Sequence, residues 1–598
     1  MNLTNLDWLL IAGFFVVSLG IGLFAARKAG QNSKEFFLGG RNMPWWLLGI
    51  SMVATTFSAD TPNLVTDIVR QNGVSGNWAW WAFLLTGMLT VFVYARLWRR
   101  SGVLTDLEFY ELRYSGKEAA FLRGFRALYL GVIFNVVVMA AVCLAGIKIA
   151  GILLGMDKYT FLLIAGSVTV IYSAIGGLKG IIWTDFFQFA LAMIGTFWAM
   201  FYILDLPEVG GLTTLLEHPN VSDKLNILPD FNDSNTFIPL LLVPIAVQWW
   251  ASYYPGAEPG GGGYVAQRML AAKNEDHALS ATLLFNVAHY ALRPLPWIII
   301  ALASLVVFPT VADIQTQFPG VDEGIMGHDL AYPAMLSFLP SGLLGLVVAS
   351  LIAAFMSTIS THLNWGSSYL VHDFYGRFIN EEASQKQRVN MGRISTVVLM
   401  LITSLLALAF ESALDVFNVI LLIGAGTGSI YILRWFWWRV NAYSEIAGMI
   451  ISFVVALGLQ FVDLGLADWQ ELLVGVATTT VGWIVVTLLT RPTSPEVLED
   501  FYAKIQPQGP GWAEVRQRVA AAPHRTQVDN TLLDDPGTLI TTGSLPLRIA
   551  CLFIGSFMVY GALFATGYFI YGQLMPALIA TGVSALSAVF LISVWRKI

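Results

Sequence analysis

Charged side chains are scarce in this sequence. Of its 598 residues only 12% are Asp, Glu, Lys or Arg, whereas 56% are hydrophobic, and an ordinary soluble protein has about 25% charged residues. The composition therefore excludes a typical soluble globular protein. Long apolar runs repeat along the chain, which indicates membrane-spanning helices rather than the strands of a barrel. We expect an all-α polytopic membrane protein in the lipid bilayer of a cell membrane, specifically a bacterial inner membrane.

Cysteine is nearly absent, and the signatures of enzymes are missing. Cys143 and Cys551 both lie in apolar runs, so the sequence predicts no disulfide framework and no cysteine-based metal site. No Ser–His–Asp arrangement or metal cluster has meaningful spacing, and the glycine run 260–263 lacks the strand and helix that flank a phosphate-binding loop. The N-terminus has no basic segment before its first apolar run, which predicts a retained helix rather than a cleaved signal peptide. We therefore expect neither an enzyme nor a partner of nucleic acids.

Apolar segments, by contrast, are abundant. About fifteen are long enough to cross a bilayer core, which takes roughly 20 residues. They are residues 8–25, 45–69, 78–97, 126–155, 160–178, 181–204, 237–254, 279–308, 342–371, 392–410, 415–435, 443–461, 472–490, 547–572 and 576–594. Lys and Arg concentrate in alternate loops and at Arg596 and Lys597, whereas the intervening loops are acidic or nearly uncharged. Because positive loops stay in the cytoplasm, we predict the N-terminus outside and the C-terminus inside, which agrees with an odd number of spans.

One long polar segment, residues 491–546, interrupts this apolar pattern and faces the cytoplasm in the predicted orientation. Short helices are expected at 499–505 and 512–521, between Pro and Gly breaks. The segment contains no recognisable catalytic motif. We interpret it as a connector that packs beneath the membrane domain, with a separate regulatory function as the alternative.

The stretch 345–375 combines enough length and apolarity for a span with a hydroxyl-rich middle. Its small and hydroxylated residues are Ala353, Ala354, Ser357, Thr358, Ser360 and Thr361. Residues three and four apart share a helix face, so Ala354, Ser357 and Thr358 meet on one side. Ser357, Ser360 and Thr361 meet one turn further on. Oxygen atoms stacked along one face suit a hard cation such as Na⁺, although hydroxyl groups that join neighbouring helices give the same periodicity.

Two of the predicted spans are interrupted. In SMVATTFSADTPN (51–63) an apolar helix meets hydroxyl groups, a carboxylate and a proline, and in VPIAVQWWASYYPGAEPGGGGY (243–264) prolines and glycines cannot continue a helix. Irregular backbone at membrane depth is tolerated where it is buried or lines a cavity. The breaks fall in the second and seventh spans. Interrupted helices at matching places in two halves indicate a transporter built from inverted repeats, with its site near the membrane midplane.

Four motifs occur in one consistent order: FFLGGRNMPWWLLGISMVAT (36–55), AIGGLKGIIWTDFFQ (174–188), YVAQRMLAAKN (264–274) and a Ser/Thr-rich run that ends in VHDFY (371–375). Together they resemble the sodium/solute symporter family, whose members include sodium/glucose, sodium/galactose, sodium/proline and sodium/sialic acid symporters. The resemblance covers roughly residues 8–461. It implies the LeuT-type fold, a 5+5 inverted repeat of core helices with one helix before it and about four after it.

The resemblance also gives expected domain boundaries. They are an N-terminal helix and loop (1–44), inverted repeat 1 with core helices 1–5 (45–204), inverted repeat 2 with core helices 6–10 (237–435), accessory helices (436–490), the cytoplasmic insertion (491–546) and C-terminal accessory helices (547–598).

The family resemblance implies sodium as the coupling ion, bound where broken core helix 1 meets core helix 8. The ligands of this first sodium site would be the carbonyls of Ala54, Phe57 and Ala354 and the hydroxyls of Ser357 and Thr358. Unwound segments free carbonyls for cations, which explains that placement. The second sodium site, present in some members, would use Asp185, Ser357, Ser360 and Thr361. We therefore expect two ions per cycle, and the alternatives for Asp185 are an interfacial charge and an ion-release relay.

Candidates for substrate binding face the broken helices. They are Thr56, Ser58, Asp60, Thr61, Trp80, Trp249, Tyr253 and Arg293. An intramembrane carboxylate is a functional hypothesis by default. Asp60 would therefore accept hydrogen bonds from sugar hydroxyls or pair with a substrate ammonium. The alternative is that it only caps the helix break. Arg293 resembles the basic residue that sugar symporters carry on core helix 7, and it would bind substrate or pair with Asp60. The aromatic gate is left unassigned because PGAEPGGGG lengthens the second break, and we interpret His289 as a core histidine.

The function expected from the resemblance is sodium-coupled symport of a small organic solute, first a sugar or polyol. The alternative within transport is an amino acid or an organic cation, which Asp60 favours. A membrane solute sensor is the alternative from another class. The sequence does not indicate which solute is carried or whether the chain forms oligomers.

Overall fold

The computed structural model describes residues 3–25, 32–251, 259–321, 323–410, 413–461, 464–521 and 544–598. Regular secondary structure within these residues is helical, apart from one isolated parallel bridge between Met43 and Ala272. This confirms the predicted all-helical class. Residues 252–258 of the second predicted break, which include Tyr253, lie outside the described residues, as do residues 522–543 of the insertion.

The helices follow one another closely along the first half of the chain. They are α1 (Asn5–Ala25), α2 (Ser33–Leu38), α3 (Trp45–Thr56), α4 (Asp60–Asn72), α5 (Trp78–Trp81), α6 (Leu84–Leu89), α7 (Ala95–Ser101), α8 (Glu108–Arg113), α9 (Gly116–Leu128), α10 (Asn135–Leu154), α11 (Lys158–Leu204), α12 (Gly211–Glu217), α13 (Ser234–Phe237) and α14 (Val243–Ala246). Short π-helical turns join α6 to α7, α9 to α10 and α13 to α14.

The second half begins after the break near residue 251. Its helices are α15 (Gly263–Ala271), α16 (Glu275–Val287), α17 (Pro294–Val307), α18 (Val311–Gln317), α19 (Ala331–Leu336), α20 (Leu343–Ser368), α21 (Gln385–Ala407), α22 (Ala413–Phe436), α23 (Ala442–Phe461), α24 (Asp468–Leu489), α25 (Pro495–Ile505), α26 (Ala513–Ala521), α27 (Leu545–Ile570) and α28 (Leu574–Val594). A π-helical turn over Tyr369–Ile379 extends α20.

Within the described residues, 11 helical segments are long and apolar enough to cross a membrane, and three shorter apolar helices lie at Trp45–Thr56, Lys158–Ala174 and Ser234–Ala246. Each of the predicted spans overlaps a helix of the structure. The multi-pass membrane character is thereby confirmed, while the count of about fifteen crossings, the orientation of the termini and the domain boundaries stay predictions.

The first break lies where the sequence predicts it. Helix α3 ends at Thr56, the backbone of Phe57 is non-helical with φ −92° and ψ 86°, and α4 begins at Asp60. Pro62 lies in the first turn of α4, where its missing N–H costs no helical hydrogen bond. An acidic residue in that turn also complements the helix dipole. The helix is thus interrupted over three residues and restarts, which leaves backbone groups free at the break.

Predicted spans 160–178 and 181–204 correspond to two helical arms, which together form α11. They meet at a kink at Gly177, which has φ 55° and ψ −169°. A side chain would strain this backbone conformation, so the glycine is required there. The kink sets the direction of the second arm, which carries Asp185 into the centre of the molecule.

Helix α20 lies at the centre of the molecule. Every one of its residues except Leu346 and Ile352 is buried, and it packs against α3, α10, α11, α15 and α21. A helix buried on all sides places its polar side chains against other helices rather than lipid. Its hydroxyl groups must therefore find partners inside the protein.

The insertion forms two short helices, α25 and α26, close to the predicted positions. The buried Trp512 precedes α26, and its Nε1 donates a hydrogen bond to the carbonyl of Trp435 at 2.8 Å. The guanidinium of Arg113 lies 4.7 Å from the centre of the Trp512 ring. The described part of the insertion is thus packed against the ends of α8 and α22.

Candidate functional site

The unwound end of α3 and the middle of α20 are in direct contact. The hydroxyl of Thr358 donates a hydrogen bond to the carbonyl of Thr55 at 2.7 Å, and the carbonyl of Ala54 accepts one from the amide of Phe57 at 3.2 Å. The five residues predicted for the first sodium site are all at most 3% exposed; they are Ala54, Phe57, Ala354, Ser357 and Thr358. The structure therefore brings oxygen atoms of both helices together in a buried place.

A second polar cluster surrounds the carboxylate of Asp185 on α11. Its Oδ1 accepts a hydrogen bond from the hydroxyl of Ser357 at 2.6 Å, and its Oδ2 accepts one from Ser51 on α3 at 2.5 Å. All three side chains are at most 1% exposed. Asp185 thus connects three helices, α3, α11 and α20, through charge-assisted hydrogen bonds, which are stronger than neutral ones.

The other two residues predicted for the second sodium site lie in the same cluster but point differently. The hydroxyl of Ser360 donates to the carbonyl of Ser357 on its own helix at 3.0 Å. The hydroxyl of Thr361 lies 3.1 Å from that of Thr55. All four predicted residues are buried, and Ser51 and Thr55 are further oxygen-bearing side chains at this place that the sequence did not single out.

Arg268 on α15 is the member of this cluster that sequence reasoning missed. Its Nη2 lies 3.7 Å from Oδ2 of Asp185 and donates hydrogen bonds to Thr361 at 2.8 Å and Ser51 at 3.2 Å. The guanidinium is fully buried. The sequence did carry a signal for it. The motif YVAQRMLAAKN contains this arginine, and an arginine inside a buried helix needs a carboxylate partner.

Hydroxyl, carbonyl and carboxylate oxygens are the ligands that hard cations take in proteins. The two clusters hold such atoms in a buried setting, with one formal negative charge on Asp185 and one positive charge on Arg268. The oxygen atoms are of the type that a small monovalent cation takes, and in this structure Arg268 neutralises the carboxylate.

Part of the predicted substrate site is assembled around Thr56. Its hydroxyl lies 3.1 Å from Nδ1 of His289 and accepts a hydrogen bond from Nη1 of Arg293 at 3.2 Å. Nη2 of Arg293 lies 3.1 Å from Nε2 of His289. Trp80 packs here too, with its ring edge-on to His289 at 5.7 Å and stacked on Tyr290 at 5.9 Å. His289, which we interpreted as a core histidine, therefore lies among the substrate candidates.

The remaining candidates lie at the helix break or beyond it. The hydroxyl of Ser58 donates to the carboxylate of Asp60, and the hydroxyl of Thr61 donates to the carbonyl of Thr56 at 3.3 Å. Asp60 is partly exposed although its neighbours Thr56 and Ser58 are buried. The carbonyl of Trp249 accepts a hydrogen bond from the hydroxyl of Thr86 in α6. Tyr253 lies outside the described residues.

A family model described as "Sodium:solute symporter family" matches residues 36–452 of this chain. The chain belongs to the sodium:solute symporter family. The match confirms the resemblance and covers both polar clusters and the substrate candidates. It also shows that the chain is a transporter rather than an enzyme, that sodium is its coupling ion, and that a small-molecule solute is its cargo.

Two similar relatives carry sugar or polyol names. A sodium/glucose cotransporter from Vibrio parahaemolyticus is 26% identical over 80% of this chain and 90% of its own length. A sodium/myo-inositol cotransporter from Canis lupus familiaris is 26% identical over 76% of this chain and 66% of its own length.

Among solved structures, a Na⁺-coupled sialic acid symporter in a substrate-bound outward-open state has a TM-score of 0.63 at 20% identity. It matches 82% of this chain and all of its own. This likeness shows the LeuT-like fold that the resemblance implied.

Proposed function

We propose that this symporter imports a sugar or polyol together with two sodium ions. The relatives named for glucose and myo-inositol support the solute class. The observation that carries the proposal is the buried oxygen cluster around Ser357, whose hydroxyl binds Asp185 while the neighbouring Thr358 binds the broken helix. One serine thus lies between two groups of cation ligands, as two adjacent sodium sites require.

The first sodium ion would be bound by the carbonyls of Ala54, Phe57 and Ala354 and by the hydroxyls of Ser357 and Thr358. It takes over the contact that Thr358 makes to the α3 carbonyl at 2.7 Å. By joining α3 to α20 the ion stabilises the outward-open state and completes the substrate site. Linkage then requires that substrate tighten sodium binding by the same factor.

The second sodium ion would be bound by Asp185, Ser357, Ser360 and Thr361. Each Na⁺ that moves down ~100 mV supplies about 2.3 kcal/mol, and a tenfold gradient adds about 1.4 kcal/mol. Two ions provide roughly 7 kcal/mol, which supports about 10⁵-fold accumulation of a neutral solute.

The substrate would bind between the helix break and α17. Thr56, Arg293 and His289 offer donors and acceptors within 3.1 to 3.2 Å of one another, and sugar hydroxyls can replace these mutual contacts. Trp80 supplies an aromatic face, to which the CH groups of a sugar ring pack. Ser58, Asp60, Thr61 and Trp249 complete the proposed lining, with Tyr253 as a further candidate.

The second candidate function is symport of an amino acid or organic cation. Asp60 favours it, because this carboxylate is partly exposed at the break while the residues before it are buried. A substrate ammonium would pair with Asp60, whereas a sugar would accept and donate hydrogen bonds there. The two classes differ in charge, so a ligand screen separates them.

The test is thermal stability of the purified protein with sugars, polyols, amino acids and amines, each in Na⁺ and in K⁺. A ligand that binds only the folded state raises apparent stability. We expect a shift with a sugar or polyol in Na⁺ alone. A sodium-dependent shift with an amino acid or amine instead would overturn the solute class, and binding without sodium-driven uptake into proteoliposomes would indicate a sensor.

A further inference from the structure

The guanidinium of Arg268 lies where the second proposed sodium ion would bind. It contacts Asp185, Ser51 and Thr361 at 3.7, 3.2 and 2.8 Å, and two of these three belong to the proposed ligand set. We propose that Arg268 is an internal counter-cation, which neutralises Asp185 in the sodium-free carrier and is displaced from it when the second sodium ion binds. This inference rests on the proposed second sodium site.

The charges of the cluster require such an exchange. Asp185 and Arg268 are both fully buried, and a buried charge without a partner is strongly destabilising. With both present the cluster is neutral. A sodium ion added beside an intact pair would leave an excess positive charge in the same buried space, so the ion and the guanidinium compete for one carboxylate.

Arg268 has a further hydrogen-bond acceptor, which holds its guanidinium when it moves away from Asp185. Nη1 of Arg268 donates a hydrogen bond to Oε1 of Gln267 at 2.8 Å. Gln267 is itself anchored, because its Nε2 donates to the carbonyl of Phe37 and to Oδ1 of Asn364, both at 3.0 Å. The guanidinium is therefore shared between two sets of acceptors, and sodium needs to replace only one of them.

The two partners also belong to different elements. Arg268 lies on α15, which follows the second break, whereas Asp185 lies on the second arm of α11. A small displacement of α15 relative to α11 would separate them, and it would couple sodium binding to movement of the broken helix. Arg268 is in this sense a positioning residue: it sets whether Asp185 is available for sodium.

The pairing of Arg268 with Asp185 affects the step in which the carrier returns without sodium and solute. After sodium and solute have left, Asp185 would remain as an isolated buried charge, and Arg268 removes that cost by pairing with it again. Exchange of labelled for unlabelled solute, with sodium on both sides, does not need the empty carrier to return. Net uptake does need it, so the two assays separate this role from a structural one.

The experiment compares net uptake, exchange and sodium activation in proteoliposomes, using the solute identified by the stability screen. For Arg268→Gln we expect net uptake to fall about tenfold or more, exchange to stay within about twofold, and the sodium midpoint to fall at least about fivefold as the competitor is removed. Arg268→Lys, which keeps a cation, should restore part of the net uptake. Arg99→Gln is the matched control, because the buried Arg99 binds carbonyls at the end of α15, at Ala272 and Lys273.

The double variant Asp185→Asn with Arg268→Gln removes both charges and should recover net uptake relative to Arg268→Gln. Equal losses of net uptake and exchange in both arginine variants, with an unchanged sodium midpoint, would overturn the inference. A wild-type protein whose sodium activation shows one ion, unaltered by Asp185→Asn, would instead overturn the proposed second site itself. The two failures are therefore distinguishable.

Discussion

At the scale of single residues, Ser357 is shared by the two proposed sodium sites. Its hydroxyl donates to Asp185 at 2.6 Å, and its helix neighbour Thr358 contacts the broken helix. We expect Ser357→Ala to raise the sodium concentration for half-maximal uptake by at least about tenfold, because it removes an oxygen ligand from both proposed sites and a polar contact to a charged group is worth about 1.5–3 kcal/mol. Ser350→Ala is the control, since Ser350 is buried on the same helix and bonds only its own helix backbone, at Val347. An equal effect of both substitutions would contradict a specific role.

Asp185 should affect only one of the two proposed ions. We expect Asp185→Asn to lower the Hill coefficient of sodium activation from near two toward one while uptake stays sodium-dependent, because the first site does not include this carboxylate. The measurement is the sodium dependence of initial uptake rates at saturating solute. Unchanged sodium activation in Asp185→Asn would contradict the proposal that two sodium ions are transported per cycle.

Residue types suitable for sodium could be predicted from the sequence, because helical spacing alone places Ser357, Ser360 and Thr361 on one face. Partners on other helices could not. Arg268 and Asp185 are far apart in the sequence, and only the packing of α15 against the centre shows that they share one space. His289 shows the same limit, since a buried histidine has the same local sequence pattern whether it lies in a core or beside a site, and only the structure shows its contacts with Thr56 and Arg293.

At the scale of elements, a polar contact joins the C-terminal end of α4 to the segment before α19. Nε of Arg70 donates to Nδ1 of His328 at 3.2 Å, and its Nη2 donates to the carbonyl of Phe308 at 2.8 Å. Nearby, Lys148 on α10 pairs with Asp329 at 2.8 Å. Burial, and then the charge of Arg70, lower the pKa of His328 below its usual range, while Asp67 and Asp329 oppose this shift.

While this contact is formed, His328 is neutral. Lowering the pH through the ordinary histidine range near 6.5 therefore protonates His328 preferentially in molecules in which the contact is open. The contact is thus intact above that pH and weakened below it. We expect residues 323–336 to show faster hydrogen exchange, corrected for intrinsic rates, at pH 5.5 than at pH 7.5. His328→Gln keeps an acceptor without titrating, so it should abolish the difference. A pH response that survives in this variant would assign the effect to another group.

Buried aromatic side chains hold the described part of the insertion against α8 and α22, and Trp512 is one of them. Trp512 is buried, donates to Trp435 at 2.8 Å and lies under the guanidinium of Arg113. We expect Trp512→Ala to cost about 3 kcal/mol, as for large buried side chains, and to lower the thermal midpoint in detergent. Trp198→Ala, on an outward-facing side chain that is 56% exposed, is the control. Equal midpoints for wild type and Trp512→Ala would mean that the insertion does not stabilise the membrane domain.

At the scale of the whole molecule, hydrophobic runs predicted the helical class and the approximate positions of the apolar helices, because a bilayer demands apolar helices of limited length. The break at Phe57 was also predictable, from Pro62 and the polar residues around it. The two arms of α11 were predicted as separate spans, but the kink that joins them at Gly177 was not predictable, since a glycine in an apolar run predicts equally a kink or a loop. The packing of the insertion depends on contacts distant in sequence, which no local pattern encodes.

Coupling of two sodium ions to one solute is the central claim for the whole molecule, and it follows from two oxygen clusters that meet at Ser357. The most direct test measures the fluxes of radioactive sodium and labelled sugar or polyol in the same proteoliposomes. We predict solute-dependent sodium influx at two ions per solute molecule, falling to one in Asp185→Asn. A ratio of one in the wild-type protein, or solute uptake without any sodium influx, would contradict it.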